Sequence, residues 1–444
     1  MNHDLLPPEK RSLRAKFCAM QISYYCTTAS FNSFAVTYFS ANDHSAAAIG
    51  VMLALFTLAA FAGAFLFGQL CDRLHNHKQV FIWSNVAMLG LTALVYFGVH
   101  SPFLVVLYAL LGLLITPIAS NMDTWLLKCF YKTPQEYGLI RGWGSLGYAA
   151  FTLFYGVLIN RFGFGIMLPF TACFVCVNIA LALMIPEAPA LPGDGAQPGR
   201  EGGLLSLLKQ KRFSILLAAL LLLGLAHCPV YQYVAMIFDS VGASVTYQSL
   251  ALSFSAFTQV PMMMLARPLS RYSPYVLLLG AAGLYLASNA IIGFSSSALV
   301  VLGGYLVAGL AYGLLLPTLR QAILVSSTPE TRTTAQSMAD AFFGSLAGMA
   351  SSLAGGFILD AFNVPTLLGI ACIITLLVVP LWSRCCRVQA PRLTSRPGGL
   401  EAAPAPITFP QPALSAGFFF AALPFPAAVR FVCQPPPVPL ALSS

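Results

Sequence analysis

Charge is what this sequence has least of. Asp, Glu, Lys and Arg make up 8% of its 444 residues, against about 25% in an ordinary soluble domain. So few charges cannot cover a water-facing surface. Short alternating strands, the mark of a membrane β-barrel, are also missing. Motifs for nucleotide or hydrolytic chemistry are missing too: there is no Walker loop, no Gly-x-Ser-x-Gly elbow and no His-Glu-x-x-His pair. A self-contained nucleotide-driven pump is thereby excluded, and no enzyme site emerges. The eleven cysteines are scattered, with Cys173 and Cys176 one helical turn apart and Cys385 beside Cys386. They read as packing residues, and neither a metal nor a cofactor is expected.

What is present is hydrocarbon. Hydrophobic residues make up 58% of the chain, in stretches of about 20 residues, the length of a helical membrane crossing. Run length gives twelve candidate spans: 17–39, 46–67, 80–98, 102–126, 139–159, 164–185, 213–238, 247–265, 275–294, 298–317, 335–358 and 364–383. The first is too long for a cleavable signal peptide, and the second follows too closely. Basic residues fall on alternate connections. Lys10, Arg11, Arg14 and Lys16 precede the first span. Arg73 and Lys78, Lys128 and Lys132, the linker cluster from Arg200 to Arg212, Arg267 and Arg271, and Arg320 and Arg332 lie on the same side. Arg384 and Arg387 follow the last span, and the opposite side keeps only Arg161. The positive-inside rule then places both termini in the cytoplasm, in a multi-pass protein of the plasma membrane. The net charge of +9 faces lipid headgroups, and no nucleic-acid partner is needed to explain it.

The chain repeats itself. Gly144–Gly163, GSLGYAAFTLFYGVLINRFG, aligns without a gap to Gly344–Asn363, GSLAGMASSLAGGFILDAFN. Gly144, Ser145, Leu146, Ala150, Gly156 and Phe162 each recur 200 positions later. This predicts two parallel six-helix halves, 1–185 and 213–387, joined by a Pro-rich cytoplasmic linker, 186–212. Small residues at this spacing let helices approach closely, either as static packing or as surfaces that slide. Residues 388–444 are dense in Pro and Ala and read as a disordered tail without assigned function.

Ionisable residues inside spans are costly and mark a pathway by default. Asp123 lies near the inner end of span four, and Arg141 opens span five. His227 sits within span seven, and Asp340 near the start of span eleven. Asp239 and Asp360, at external ends, read as solvated. Asp123 and Arg141 are on consecutive helices and can meet, as a salt bridge that fixes two helices or as part of a site. Arg141, Ser145 and Tyr148 share one helix face, offering a planar donor fork, a hydroxyl and a ring. Such a set suits a polyhydroxylated or heterocyclic ligand. His227 and Tyr231 form a polar stripe, with Gln232 following. Asn32 and Gln259 add amides, each also readable as an interhelical hydrogen bond.

Two stretches resemble a known family. Gly68–Lys78, GQLCDRLHNHK, resembles the signature loop of the major facilitator superfamily, Gly-x-Leu-x-Asp-Arg with basic residues following. His75-Asn76-His77 stands where that loop has Gly-Arg-Arg/Lys. The resemblance implies an all-α membrane fold of twelve helices in two pseudo-symmetric halves. It also implies a conformational gate at Gly68, Asp72 and Arg73, which brace helix ends across the halves. Tyr137–Ala149, YGLIRGWGSLGYA, resembles the branch that contains lactose permease and related sugar or nucleoside proton symporters. That branch implies that the Asp123–Arg141 pair binds sugar hydroxyls and that Tyr148 stacks on the ring. Helix eight has Gln259 where the branch often has an acid, and Tyr305–Pro317 lacks its histidine. Asp123, His227 and Asp340 remain as proton-coupling candidates.

The expectation is secondary active transport of a sugar or nucleoside by alternating access, with proton symport. The solute would lie between Asp123, Arg141, Ser145 and Tyr148 on one side and His227, Tyr231 and Gln232 on the other, with Asn32 and Gln259 nearby. Proton-driven efflux of amphipathic compounds and a non-transporting sensor or scaffold are the alternatives. The partners expected are a small-molecule substrate, protons and the bilayer. A monomer suffices, because twelve helices complete a pathway in one chain.

Overall fold

The computed structural model describes residues 8–389 except 75, 132, 134, 190–208, 270–271 and 327–331; side chains within some helices, 67–74 among them, lie outside that description. The expected tail and most of the expected linker therefore fall outside it. The described residues form helices and no strand. Helix α1 (Pro8–Phe31) gives way to a 3-10 turn, Asn32–Phe34, and then α2 (Ala35–Ser40). Next come α3 (Ala46–Leu74), α4 (His77–Phe97), α5 (Leu104–Cys129), α6 (Gln135–Phe162) and α7 (Met167–Met184). The pattern then restarts. Helix α8 (Lys211–Gln232) breaks at Tyr233 before α9 (Val234–Ser240). Helices α10 (Val245–Leu269), α11 (Pro274–Gly293), α12 (Ala298–Ser326) and α13 (Arg332–Asp340) follow. A π-helical segment, Ala341–Leu346, leads into α14 (Ala347–Ala361), and α15 (Val364–Gln389) ends the description. The breaks at Ser33 and Tyr233 lie 200 residues apart, the offset of the sequence repeat.

Ten of these helices are long and apolar enough to cross a membrane. The first and eighth expected spans are not among the ten. Helix α1 buries Gln21, Ser23, Thr27 and Ser30, and α10 buries Gln248, Ser249, Ser253 and Ser255. Their polarity is turned inward, where hydrocarbon does not reach it. Asn178 on α7 donates to Thr27 Oγ1 at 3.1 Å, and the Ser30 and Thr171 hydroxyls stand 2.7 Å apart. Apolar packing falls into three clusters. One draws mainly on α1–α7, around Trp125, Phe17 and Tyr108, and takes in Tyr233, Ala235 and Leu367 from the second set. The other two draw on α8–α15, around Trp382 and Tyr285 and around Tyr305 and Phe238.

The start of the expected linker is held in place. Trp125 Nε1 donates to the Pro186 carbonyl at 3.0 Å. The Glu187 carboxylate accepts from the Lys78 amide at 3.1 Å, while Lys78 Nζ donates to the Leu183 and Ile185 carbonyls at 2.9 and 3.0 Å. A cation thus sits on the C-terminus of α7 and an anion on the N-terminus of α4, each favourable to its helix dipole.

Contacts between α1–α7 and α8–α15 gather at the end of the bundle opposite the start of α1. The amides of Ala46 and Ala47 donate to the two carboxylate oxygens of Asp360, at 2.8 and 2.9 Å. Asp360 is therefore a helix cap for α3 rather than a merely solvated group, because the end of α14 abuts the start of α3. A Cβ on Gly50 of α3 would lie 2.6 Å from the Ser352 carbonyl of α14, the same carbonyl that accepts from the Tyr233 hydroxyl. Between α6 and α10, a Cβ on Gly156 would lie 2.1 Å from Ser249 Oγ, so only glycine admits this approach. Thr152 and Ser253 exchange a hydrogen bond of 2.8 Å just beside it. Toward the other end α3 and the π-helical segment part, leaving a groove lined by Thr57, Leu58, Phe61, Phe342 and Met349.

Candidate functional site

The break between α1 and α2 frees backbone groups inside the bundle, and they need partners. Gln248 on α10 supplies one, donating to the Ser33 carbonyl at 3.1 Å and accepting from Thr37 Oγ1 at 2.7 Å. The same break aims Ser33 at Tyr148, with the two hydroxyls 2.9 Å apart. Asn32 accepts from the Tyr108 hydroxyl at 3.2 Å. At the matching break after α8, the Tyr305 hydroxyl donates to the Val230 carbonyl at 2.6 Å.

Asp123 on α5 and Arg141 on α6 meet, with Arg141 Nε 3.5 Å from Asp123 Oδ2. Their side chains are 23% and 31% exposed, so the pair borders open space. Gln21 Nε2 donates to Asp123 Oδ1 at 3.0 Å, and the Tyr137 hydroxyl donates to Oδ2 at 3.2 Å. The Arg141 guanidinium lies 4.3 Å from the centre of the Tyr25 ring. Ser145 is exposed and Tyr148 half-buried on the same face of α6. From the other set of helices, α6 packs against α10, where Thr152 meets Ser253.

His227 is buried within an aromatic cage. Its ring centre lies 4.3 Å from that of Tyr285, 4.8 Å from Tyr231, and 6.0 Å from both Tyr312 and Phe343. His227 Nδ1 and the Tyr285 hydroxyl are both buried without a hydrogen-bond partner. Tyr231 shares its hydroxyl with Ser255. Gln232 is committed to α14, donating to the Gly348 carbonyl at 3.2 Å and accepting from Ser351 at 3.4 Å. Gln259 is half-buried, and its backbone packs against Gly313.

Asp340 is not alone. Arg320, which the sequence places in a connection, lies within α12 and meets it at 3.0 Å. Gly68, Asp72 and Arg73 lie on α3, but their side chains are outside the described residues. Among the described residues no three His, Cys, Asp or Glu side chains gather as a metal site. Sequence reasoning missed Gln21, Ser33, Tyr137 and Arg320 as neighbours of the site. Tyr25 stands out only as one polar residue among several in the first span. The one signal for it was Gly144, whose missing side chain is where Tyr25 packs.

A model of the MFS_1-like family matches residues 17–368. The chain belongs to this family of the major facilitator superfamily. It is a multi-pass membrane transporter, not an enzyme. The maltose permease of Geobacillus stearothermophilus is 26% identical over 324 residues, 72% of this chain and 81% of that protein. The uncharacterized transporter YwbF of Bacillus subtilis (strain 168) is 21% identical over 331 residues, 74% and 82% of the two chains. Among solved structures, a mutant of the nucleoside transporter NupG superposes with a TM-score of 0.75 at 14% identity, covering 84% of this chain and 99% of that one. A bacterial homologue of the lysosomal transporter Spinster gives 0.63 at 14% identity, covering 86% and 97%. The fold is the major facilitator fold.

Proposed function

We propose that the chain carries a small, neutral, polyhydroxylated solute, a sugar or a nucleoside, across the plasma membrane by alternating access in symport with protons. One observation carries this reading. A part-exposed guanidinium pairs with Asp123 of the neighbouring helix, sits over the Tyr25 ring and shares its helix face with Ser145 and Tyr148. Arg320 and Asp340, on α12 and α13, likewise balance each other. A site of cancelled charge and many donors favours hydroxyl-rich neutral ligands and gives amphipathic cations no counter-charge. The likeness to a maltose permease and to the fold of a nucleoside transporter supports the same solute classes.

The halves 1–185 and 213–387 would rock about a central space, with the linker 186–212 and both termini in the cytoplasm. The contacts around Asp360, Ser352 and Gly156 then close the external end, and the groove beside Phe342 faces inward. Proton coupling is tested in de-energised cells in weak buffer with an external pH electrode. Adding maltose or uridine to expressing cells is expected to make the medium more alkaline, and the response is expected to vanish in Arg141→Gln. No pH change with either solute, while labelled solute still enters, would remove the proton from the account.

A further inference from the structure

Asp123 has about four acceptor positions on its carboxylate. Three protein donors already address them: Gln21 from α1, Tyr137 from the start of α6, and Arg141. Arg141 has five N–H donors, and its Nε is the atom paired with Asp123. Its Cζ sits over the face of the Tyr25 ring, 4.3 Å from the ring centre. An edge paired with a carboxylate and a centre seated over a ring together restrict where a guanidinium can move, and with it where the terminal amino groups can reach. The ring is placed in turn by Gly144. A Cβ there would lie 2.6 Å from Tyr25 Cδ2 and 3.1 Å from Gln21 Oε1. Tyr24 adds its ring edge-on to Tyr25, with centres 5.5 Å apart.

We propose that Gln21, Tyr25 and Tyr137 form a socket that positions Arg141 for the solute, and that Asp123 is the anchor of this socket rather than a direct ligand. The proposal rests on the reading of Arg141 as the group that meets the solute. It departs from the expectation that both members of the pair bind hydroxyls. It assigns to α1, which has no charge in its membrane-embedded part, the task of aiming a charge on α6. Gly144 is explained by the same geometry, since only glycine leaves room for both the ring and the amide.

The test is the rate at which phenylglyoxal modifies Arg141 in the purified full-length protein, followed by peptide mass spectrometry. Arg161, exposed near the opposite end, serves as the internal reference for an intact fold. Tyr25→Leu and Gln21→Leu are expected to raise the Arg141 rate about three- to tenfold, the factor that loss of a partly desolvated cation–π or charged hydrogen bond implies. Tyr25→Phe keeps the ring and is expected to react as the wild type does. Equal Arg141 rates in all four proteins would overturn the socket. Uptake of labelled maltose and uridine gives the second readout. Where a variant carries solute, Tyr25→Leu is expected to raise KM and leave the maximal rate, and Tyr25→Phe to change neither. A wild type that takes up neither solute, with the modification pattern intact, would sink the solute reading and leave the socket standing.

Discussion

At the scale of the residue, an arginine at the head of an apolar helix is tolerable because three helices prepare its place. Breaking such a pair leaves a charge without its partner, which costs more than losing both. Arg141→Lys retains the charge and loses the planar fork. It is expected to cut uptake at least about tenfold, the effect of one charged hydrogen bond of about 1.5–3 kcal/mol, and Arg141→Gln is expected to cut it further. Initial rates of labelled maltose and uridine uptake, corrected for the amount of protein in the membrane, check both. The Asp123–Arg141 pair is legible in the sequence because charges are conspicuous in apolar spans. Gln21 and Tyr25 are not, because uncharged polar residues sit in many helices for ordinary packing. Their role appears only when α1 is laid against Gly144.

At the scale of the element, the break in the first helix of each set does what a continuous helix cannot. It frees a carbonyl, and at Ser33 that carbonyl is taken by Gln248 from the other set of helices. The contacts at that end are small and polar, so each is weak and together they are reversible. Asp360 caps the N-terminus of α3 with both oxygens. Removing a charge at a helix N-terminus costs about 0.3–1 kcal/mol, a two- to fivefold change in an equilibrium. Asp360→Asn is therefore expected to shift the protein toward states open at this end. Pulsed-EPR distances between spin labels at Ala41, just past α2, and Ser240, the last residue of α9, both exposed, would show a larger long-distance population. Gly156→Ala is expected to do the same by forcing α6 from Ser249. Hydropathy alone finds most of these helices. It reads α1 and α10 less clearly because their polar faces are buried. It gives no sign of the π-helical segment or of the cap at Asp360, both of which depend on neighbours distant in sequence.

At the scale of the whole molecule, the repeat of 200 residues in sequence reappears as the spacing of the two helix breaks. The fold class was legible from run length, charge scarcity and this repeat. The meeting of Arg320 with Asp340 was not, because a basic residue near a span end reads equally well as a loop. The route proposed for the solute is built from side chains within 8–389. Truncation after Gln389 is accordingly expected to leave uptake unchanged per molecule in the membrane, as measured with the same labelled solutes. The central claim is that this chain moves a neutral polyhydroxylated solute through a space where Arg141 holds it. Counterflow in proteoliposomes tests this most directly, since it needs only the purified protein, a load of unlabelled solute and a trace of the labelled one. Transient accumulation of maltose or uridine by the wild type, lost in Arg141→Gln, is the expected result. Counterflow of neither solute, or undiminished counterflow in Arg141→Gln, would contradict it.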